Sequence, residues 1–464
     1  MVPEKPSLDG IDAKWSERWE TDGTYRFDRS KTREQIYSVD TPPPTVSGSL
    51  HMGSVFGYAQ TDATVRYRRM RGSEVFYPMG WDDNGLATER RVQNYYGVRC
   101  DPSLHEDPDF TPPEKPGKQE IPVSRPNFVA LCERLTQIDE QAFEDLWRRL
   151  GLSVDWSLTY TTIGEVAQRV SQRAFLRMLG RGEAYQAEAP TLWDVDDRTA
   201  VAQAELEDRE EKGAYHRIRF GGTDSAPDIL IETTRPELIP ACVALVAHPD
   251  DERYRERFGT EVTTPLFGVR VPVLAHPLAE PEKGSGIAMI CTFGDVTDVV
   301  WWRELRLPTR SVMGRDGRLV ADPPEWNATD PDADARYREL GGKTVKQARV
   351  RVVELLGGSG ALDGEPKEIT HPVKFYERGS RPLEIVTTRQ WYIRNGANDP
   401  ALWSVLWERG RELRWHPPHM RARYESWVDG LNTDWLISRQ RVFGVPVPVW
   451  YPVGDDGAVD YEHP

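Results

Sequence analysis

An α/β fold interrupted by a β-rich domain is what the sequence predicts, and three observations carry that expectation. The first is a strand-like run, Gln35 to Val39, that passes through Thr41-Pro-Pro-Pro-Thr-Val-Ser-Gly-Ser-Leu-His-Met-Gly-Ser54 directly into a helix-like run, Ser54 to Arg69. The second is a further strand signal, Glu74-Val-Phe-Tyr77, followed by a turn and another helix, which gives a βαβ unit. The third is a change of pattern from about Tyr185, where short strands alternate with Gly and Pro turns: Tyr215 to Phe220, Ile229 to Glu232, Val243 to Ala247 and Val269 to Leu274. The expected division is 1–184, 185–368 and 369–464, the last a return to the first domain.

Each early element follows from local chemistry. The prolines hold Thr41 to Pro44 extended, while Gly48 and Gly53 let backbone approach a ligand where the helix begins. Unpaired N–H groups at a helix start attract phosphate, and His51 adds a donor beside them, so a nucleotide triphosphate is the expected occupant. An ordinary βα turn would share these local features. Asp82 and Asp83, in the turn Met79-Gly-Trp-Asp-Asp-Asn-Gly85, also suit a helix N-cap pair. Asp101 to Pro126, rich in Pro, Asp, Glu and Lys, reads as an extended surface loop. Phe128 to Leu150 and Ile163 to Leu179 then space their apolar residues as helices, with Gly151 and Gly180 as stops.

Composition narrows the function class. With 464 residues the chain can bury two or three cores. A formal charge of −15 argues against a general polyanion binder, so contact with nucleic acid would rest on local patches such as Arg66, Arg68, Arg69 and Arg71, for which a solvated helix face is the favoured reading. Cys100, Cys132, Cys242 and Cys291 lie far apart, which suggests a reducing compartment and no structural zinc. No apolar run approaches the roughly 20 residues of a membrane span, and a cytoplasmic protein without membrane contact is expected.

His51-Met-Gly-Ser54 resembles the His-x-Gly-His signature of the class I aminoacyl-tRNA synthetases, with Ser54 in the place of the second histidine. Trp81-Asp-Asp-Asn-Gly85 and Phe443-Gly444 are similar to the valine-specific branch of that family, although Thr45 stands where it has Asn, Ala87 where it has Pro and Val442 where it has an aromatic residue. The resemblance implies a Rossmann-type catalytic domain that takes ATP with Mg2+, valine and tRNA(Val), in a monomer. It places His51, Gly53 and Ser54 on ATP, with His51 and Ser54 stabilising the α-phosphate transition state. It places Pro43, Pro44, Thr45, Asp82 and Phe443 on the amino acid, Asp82 holding its α-ammonium, as a fixed carboxylate would.

Within 185–368, Glu232-Thr-Thr-Arg-Pro-Glu237, Gly284-Ser-Gly-Ile-Ala288 and Phe293-Gly-Asp-Val-Thr-Asp298 resemble, in order, three loops of the family's hydrolytic editing domain. The implied task is cleavage of threonyl-tRNA(Val), because an apolar pocket separates threonine poorly from isosteric valine. Asp295 and Asp298 would supply carboxylates, and Thr233, Thr234 and Arg235 donors. The family's lysine in the preceding strand is Met289 here, and the places of its Cys-rich knuckle are held by Asp194 and Asp197.

From Thr387 to Trp450 the sequence resembles the stretch that leads from the editing insertion back into the synthetase fold. The match runs from about Lys14 to Tyr461, while the family's Lys-Met-Ser-Lys-Ser loop and anticodon-binding domain are not in this sequence, and no lysine follows Lys374. The expected function is therefore valine–tRNA ligase with editing. The alternatives are a chain that acts only as an editing or RNA-binding module, and a relative of the isoleucyl or leucyl enzymes.

Overall fold

A computed structural model describes residues 9–463 except 49, 118, 223–226, 292, 293, 295, 328–330, 378 and 432. The chain divides into two compact units, residues 1–181 with 441–464, and residues 182–440. Among the described residues no helix is long and apolar enough to cross a membrane.

The first unit is mixed α/β with parallel strand pairs. After helix α1 (Ile11–Thr21), strand β1 (Ile36–Ser38) runs parallel to β2 (Glu74–Phe76) through helix α2 (Met52–Met70). Strand β3 (Gly80–Trp81) leads through Asp82 into α3 (Leu86–Tyr96), which stops at Gly97 with φ 68°. Strands β4 (Val98–Cys100) and β5 (Ile121–Val123) pair in parallel, so the far end of the expected loop 101–126 is a strand. Pro122 hides it in sequence, since proline lacks the N–H that a central strand needs. Helix α4 (Arg125–Arg149) starts on Ser124, whose hydroxyl accepts from the Asn127 N–H at 3.4 Å. It ends before Gly151, whose φ of 70° turns the chain as the sequence suggests. Strand β6 (Tyr160–Thr161) returns parallel to β3, and α5 (Glu165–Gly180) follows. The turn after α5 falls at Gly182, φ 71°, two residues past the expected stop.

Two cores support this unit. Val46, Val65, Val75, Tyr77, Met79, Trp81, Phe143 and Trp147 pack under the β1–α2–β2 segment. A second cluster joins Val92, Val98, Phe128, Leu131, Leu135 and Phe443 between α3 and α4.

The second unit is β-rich. Strands β7 (Ala184–Asp194), β8 (Thr199–Ala200), β9 (Leu206–Phe220), β10 (Ile229–Thr233), β11 (Ala244–Ala247), β12 (Glu261–Thr263), β13 (Arg270–Ala275) and β14 (Ile287–Ile290) precede helices α6 (Val296–Glu304), α7 (Pro331–Arg338) and α8 (Val345–Ser359). Strands β15 (Lys367–Tyr376) and β16 (Glu384–Ile393), helices α9 (Pro400–Glu412) and α10 (Met420–Asp429) and strand β17 (Trp435–Leu436) complete it. The sheets have orders β10-β9-β15, β12-β13-β11-β14 and β17-β16-β7-β8.

Two ladders tie residues beyond 368 into this unit. Ten residues of β15 pair with Leu206–Tyr215 of β9, and all of β16 pairs with Ala184–Trp193 of β7. The expected boundary at 368/369 thus falls inside β15, and the compact unit continues to Gln440. Leu206 to Gly213 reads poorly as strand because it is almost wholly charged. It is held by the backbone ladder and by cross-strand pairs such as Lys374 with Asp208 at 2.8 Å.

Candidate functional site

The loop from Pro42 to Ser54 is fixed at several points. The Tyr58 hydroxyl donates to the Pro42 carbonyl at 2.6 Å, and Gly48, with φ 92°, donates its N–H to Asp139 on α4 at 3.1 Å. His51 is the N-cap of α2. Its Nδ1 accepts from the Ser54 N–H at 3.3 Å, so in the neutral ring the proton sits on Nε2 and is donated to Ser54 Oγ at 3.2 Å. A Cβ at Gly53 would stand 3.0 Å from the ring, tighter than such contacts normally run, so glycine there keeps the imidazole against the helix start. His51, Gly53 and Ser54 are thereby gathered at one helix N-terminus, the arrangement that suits an anion.

The proline run then meets the second predicted segment. The Asp82 N–H donates to the Pro44 carbonyl and the Val46 N–H to the Asp82 carbonyl, both at 2.9 Å, which sets Thr45 beside Asp82. The Asp82 carboxylate takes the Thr162 hydroxyl at 3.1 Å and the Thr45 hydroxyl at 3.5 Å. Burial pushes its pKa up, against these two bonds and the backbone of Asn84. Two weak hydroxyl donors leave such a carboxylate in need of a cation, which is the electrostatic basis for an ammonium at this position.

Phe443 is placed by a residue that sequence reasoning missed. The Glu89 carboxylate accepts from the Val442 and Phe443 N–H groups at 2.8 and 3.0 Å and from Arg441 at 3.2 Å. The Phe443 ring itself packs among Val92, Phe128 and Leu131 at 4% exposure. Next to it, a Cβ on Gly444 would lie 3.5 Å from Asn84 Cβ, so this segment does reach the Asp82 turn.

In the second unit the first two predicted loops meet. The Ser285 hydroxyl accepts from the Glu232 N–H at 3.1 Å, and Gly284, φ 56°, sits where a Cβ would touch Glu232 at 3.3 Å. At the last residue of β10 the Thr233 hydroxyl accepts from the Arg235 N–H at 3.1 Å, and Thr234 follows it, half-buried. Asp298 on α6 accepts from the Gly294 N–H at 2.7 Å and is 6% exposed. Asp295 lies outside the described residues.

Arg235, expected as a donor to substrate, is held in the structure by two carboxylates. Its Nε and Nη2 bond Glu237 at 2.7 Å and Glu384 at 2.8 Å, and Glu237, fully buried, also takes two nitrogens of Arg349 at 2.9 Å each. The guanidinium is partly buried between these two carboxylates, and two of its nitrogens are thereby committed to the scaffold. Burial would by itself raise the Glu237 pKa, but Arg235 and Arg349 outweigh it and hold the carboxyl below its usual range.

The sequence matches tRNA synthetases class I (I, L, M and V) over residues 14–461. The chain belongs to this family. It is 68% identical over 464 residues to the valine–tRNA ligase of Thermobifida fusca (strain YX), covering all of this chain and 52% of that protein. Identity is 65% to the valine–tRNA ligase of Salinispora tropica and 62% to that of Cutibacterium acnes, covering 54% and 53% of those proteins. The chain spans about half the length of the curated relatives it matches. Among solved structures, the ternary LeuRS–tRNA–LeuAMS complex of Agrobacterium radiobacter K84 aligns with 98% of this chain and 52% of that chain at 17% identity, with a TM-score of 0.41 that supports no argument by itself.

For a class I synthetase chain, the supports around the motifs are as informative as the motifs. Asp139 holds both the Gly48 N–H and Arg91, the latter at 3.2 and 3.3 Å, and so joins the signature loop to α3 and α4. Thr162 accepts from the Asp83 N–H and the Asn84 side chain while donating to Asp82. A lone Asp inside a helix and a Thr after a two-residue strand carry no local signal; both act across more than 75 residues of sequence. The Asp194 carboxylate accepts from the Asp196 and Asp197 N–H groups at 2.9 Å, so in this synthetase it builds a turn.

Proposed function

We propose that the whole protein is a valine–tRNA ligase that activates valine with Mg-ATP, esterifies tRNA(Val) and hydrolyses threonyl-tRNA(Val), as a monomer in the cytoplasm. What carries this is the identity of 59–68%, across the whole chain, to proteins named valine–tRNA ligase. The local chemistry is consistent with it. In the first step the valine carboxylate attacks the α-phosphorus of Mg-ATP in line; the new O–P bond gives valyl-adenylate as pyrophosphate leaves. In the second, a ribose hydroxyl of the terminal adenosine attacks the valyl carbonyl and AMP leaves. In the third, water attacks the threonyl ester and releases threonine and free tRNA.

This chain's part in activation is binding and charge stabilisation. Asp82 takes the α-ammonium, with Thr45, Pro43 and Pro44 beside it and Phe443 behind the segment that closes on Asn84. His51, the Ser54 hydroxyl to which its Nε2–H is donated, and the free N–H groups at the start of α2 are assigned to the charge that develops on the α-phosphate. The hydrolytic step is assigned to the loops of Thr233, Thr234, Asp295 and Asp298, with Arg235 holding their frame through Glu237 and Glu384.

The test is ATP–pyrophosphate exchange by the full-length protein. Valine should support exchange well above isoleucine, and His51→Ala should slow it about 10²–10³-fold, the usual cost of one transition-state donor. Exchange faster with isoleucine than with valine would refute the assignment.

A further inference from the structure

Asp83 is the neighbour of Asp82, yet its side chain takes another course. Its N–H donates to Thr162 Oγ1 at 3.2 Å, the residue is fully buried, and neither carboxylate oxygen has a hydrogen-bond donor among the described residues. The group it meets is the carboxyl of Glu140 on α4, itself partly buried. Two ionised carboxylates cannot rest against each other out of water, because each loses solvation and repels the other. One proton between them removes the repulsion and makes a short, charge-assisted O–H···O⁻ bond.

The surrounding charges do not replace that proton. Asp82, beside Asp83, adds to the repulsion, and Glu144, one turn beyond Glu140, does the same. Glu144 is engaged by Arg148 at 2.6 Å, and Asp139, next to Glu140, engages Arg91. Arg148 also bonds Glu20 at 2.9 Å, so both neighbouring cations on these helices already serve other carboxylates.

We propose that Asp83 and Glu140 share a single proton and that this pair is a positioning device, fastening the turn 82–84 to α4 so that Asp82 keeps its place. The proposal rests on the reading of Asp82 as the ammonium site. Thr162 grips the turn from one side through Asp82, Asp83 and Asn84, and the carboxyl pair grips it from the other. Asp83 and Glu140 are thus positioning residues, one step removed from the amino acid.

The pair has a definite pH signature. Burial first, then the mutual charge, raises Glu140, and burial with Asp82 raises Asp83. The folded pair therefore holds a proton that the unfolded chain has released, so its contribution is complete in acid and is lost as pH rises out of the carboxylate range to about 8. Glu140→Gln supplies a permanent amide donor to the Asp83 carboxylate and has nothing left to release.

The first measurement is amide hydrogen exchange at Asp83 and Asn84, comparing this chain with its Glu140→Gln variant at equal pH. Protection should match near pH 6, and at about pH 9 the variant should be protected at least about tenfold more, one proton-linked decade. Equal protection at both pH values would overturn the shared proton. The second, on the full-length protein, is the KM for valine in pyrophosphate exchange. It should rise toward pH 9 more in the parent than in Glu140→Gln, with kcat moving little, while Glu140→Leu, which strands the Asp83 charge, should raise KM at every pH. A pH-dependent turn with a KM that ignores all these variants would overturn the positioning role. A valine KM indifferent to Asp82→Asn would instead sink the reading of the site, which the exchange measurement does not depend on.

Discussion

Glu237→Ala should destabilise the β-rich unit by about 3–5 kcal/mol, because one buried carboxylate now holds two arginines and its loss strands Arg349 and leaves Arg235 with Glu384 alone. Glu237 is fully buried at the mouth of the Thr233–Arg235 loop and bonds Arg235 once and Arg349 twice. With it gone, Arg349 loses both of its hydrogen bonds to that carboxylate and Arg235 keeps Glu384. Urea unfolding of residues 182–440, followed in the whole chain, measures the loss. The same carboxyl predicts acid sensitivity. Its folded pKa is depressed, so its contribution is present above the ordinary carboxylate range and fades as pH falls through the lower folded value. Replacing Arg235, Glu237, Arg349 and Glu384 together with apolar residues should cost less than Glu237→Ala alone, since none of the four charges of the cluster is then left unpaired.

Asp82→Asn should raise the valine KM of the full-length protein by about 30-fold to several thousandfold, the range for removing one partner of a buried, hydrogen-bonded charge pair. The shape of the turn should survive, because Asn can accept from Thr162 and the backbone bridges to Pro44 and Val46 do not involve the side chain. The loss therefore reports charge at the ammonium site. Pyrophosphate exchange with valine measures it; a KM within a factor of about 3 of the parent would place the ammonium elsewhere.

Much of the first unit was legible because its signals are local. The strand–loop–helix at 36–70 appears where the prolines, Gly53 and the apolar spacing put it, and α4 and α5 agree with their periodicity to within a few residues. The β-rich middle was legible from Gly and Pro turns, and Ile229 to Thr233 and Ala244 to Ala247 are strands as read. What sequence could not convey is set by distant partners. The β9 side of the β9–β15 ladder is largely charged and gives no strand signal until β15 lies opposite it. Glu89 near Phe443, Asp139 under Gly48 and Glu140 against Asp83 are ordinary helix positions until the chain closes on itself. Arg235 shows the converse: a motif arginine that looks free in sequence is half-buried by the fold and bonded to two carboxylates.

The most direct measurement is deacylation by this chain of threonyl-tRNA(Val) and valyl-tRNA(Val) in parallel, with Asp298→Ala as control. Asp298 holds the Gly294 N–H within the candidate hydrolytic loop, and the unit that carries it has its own core. Release of threonine with valine spared, abolished in the control, is the result expected of a valine-specific editor. Equal release from both tRNAs, or release that survives Asp298→Ala, would contradict it.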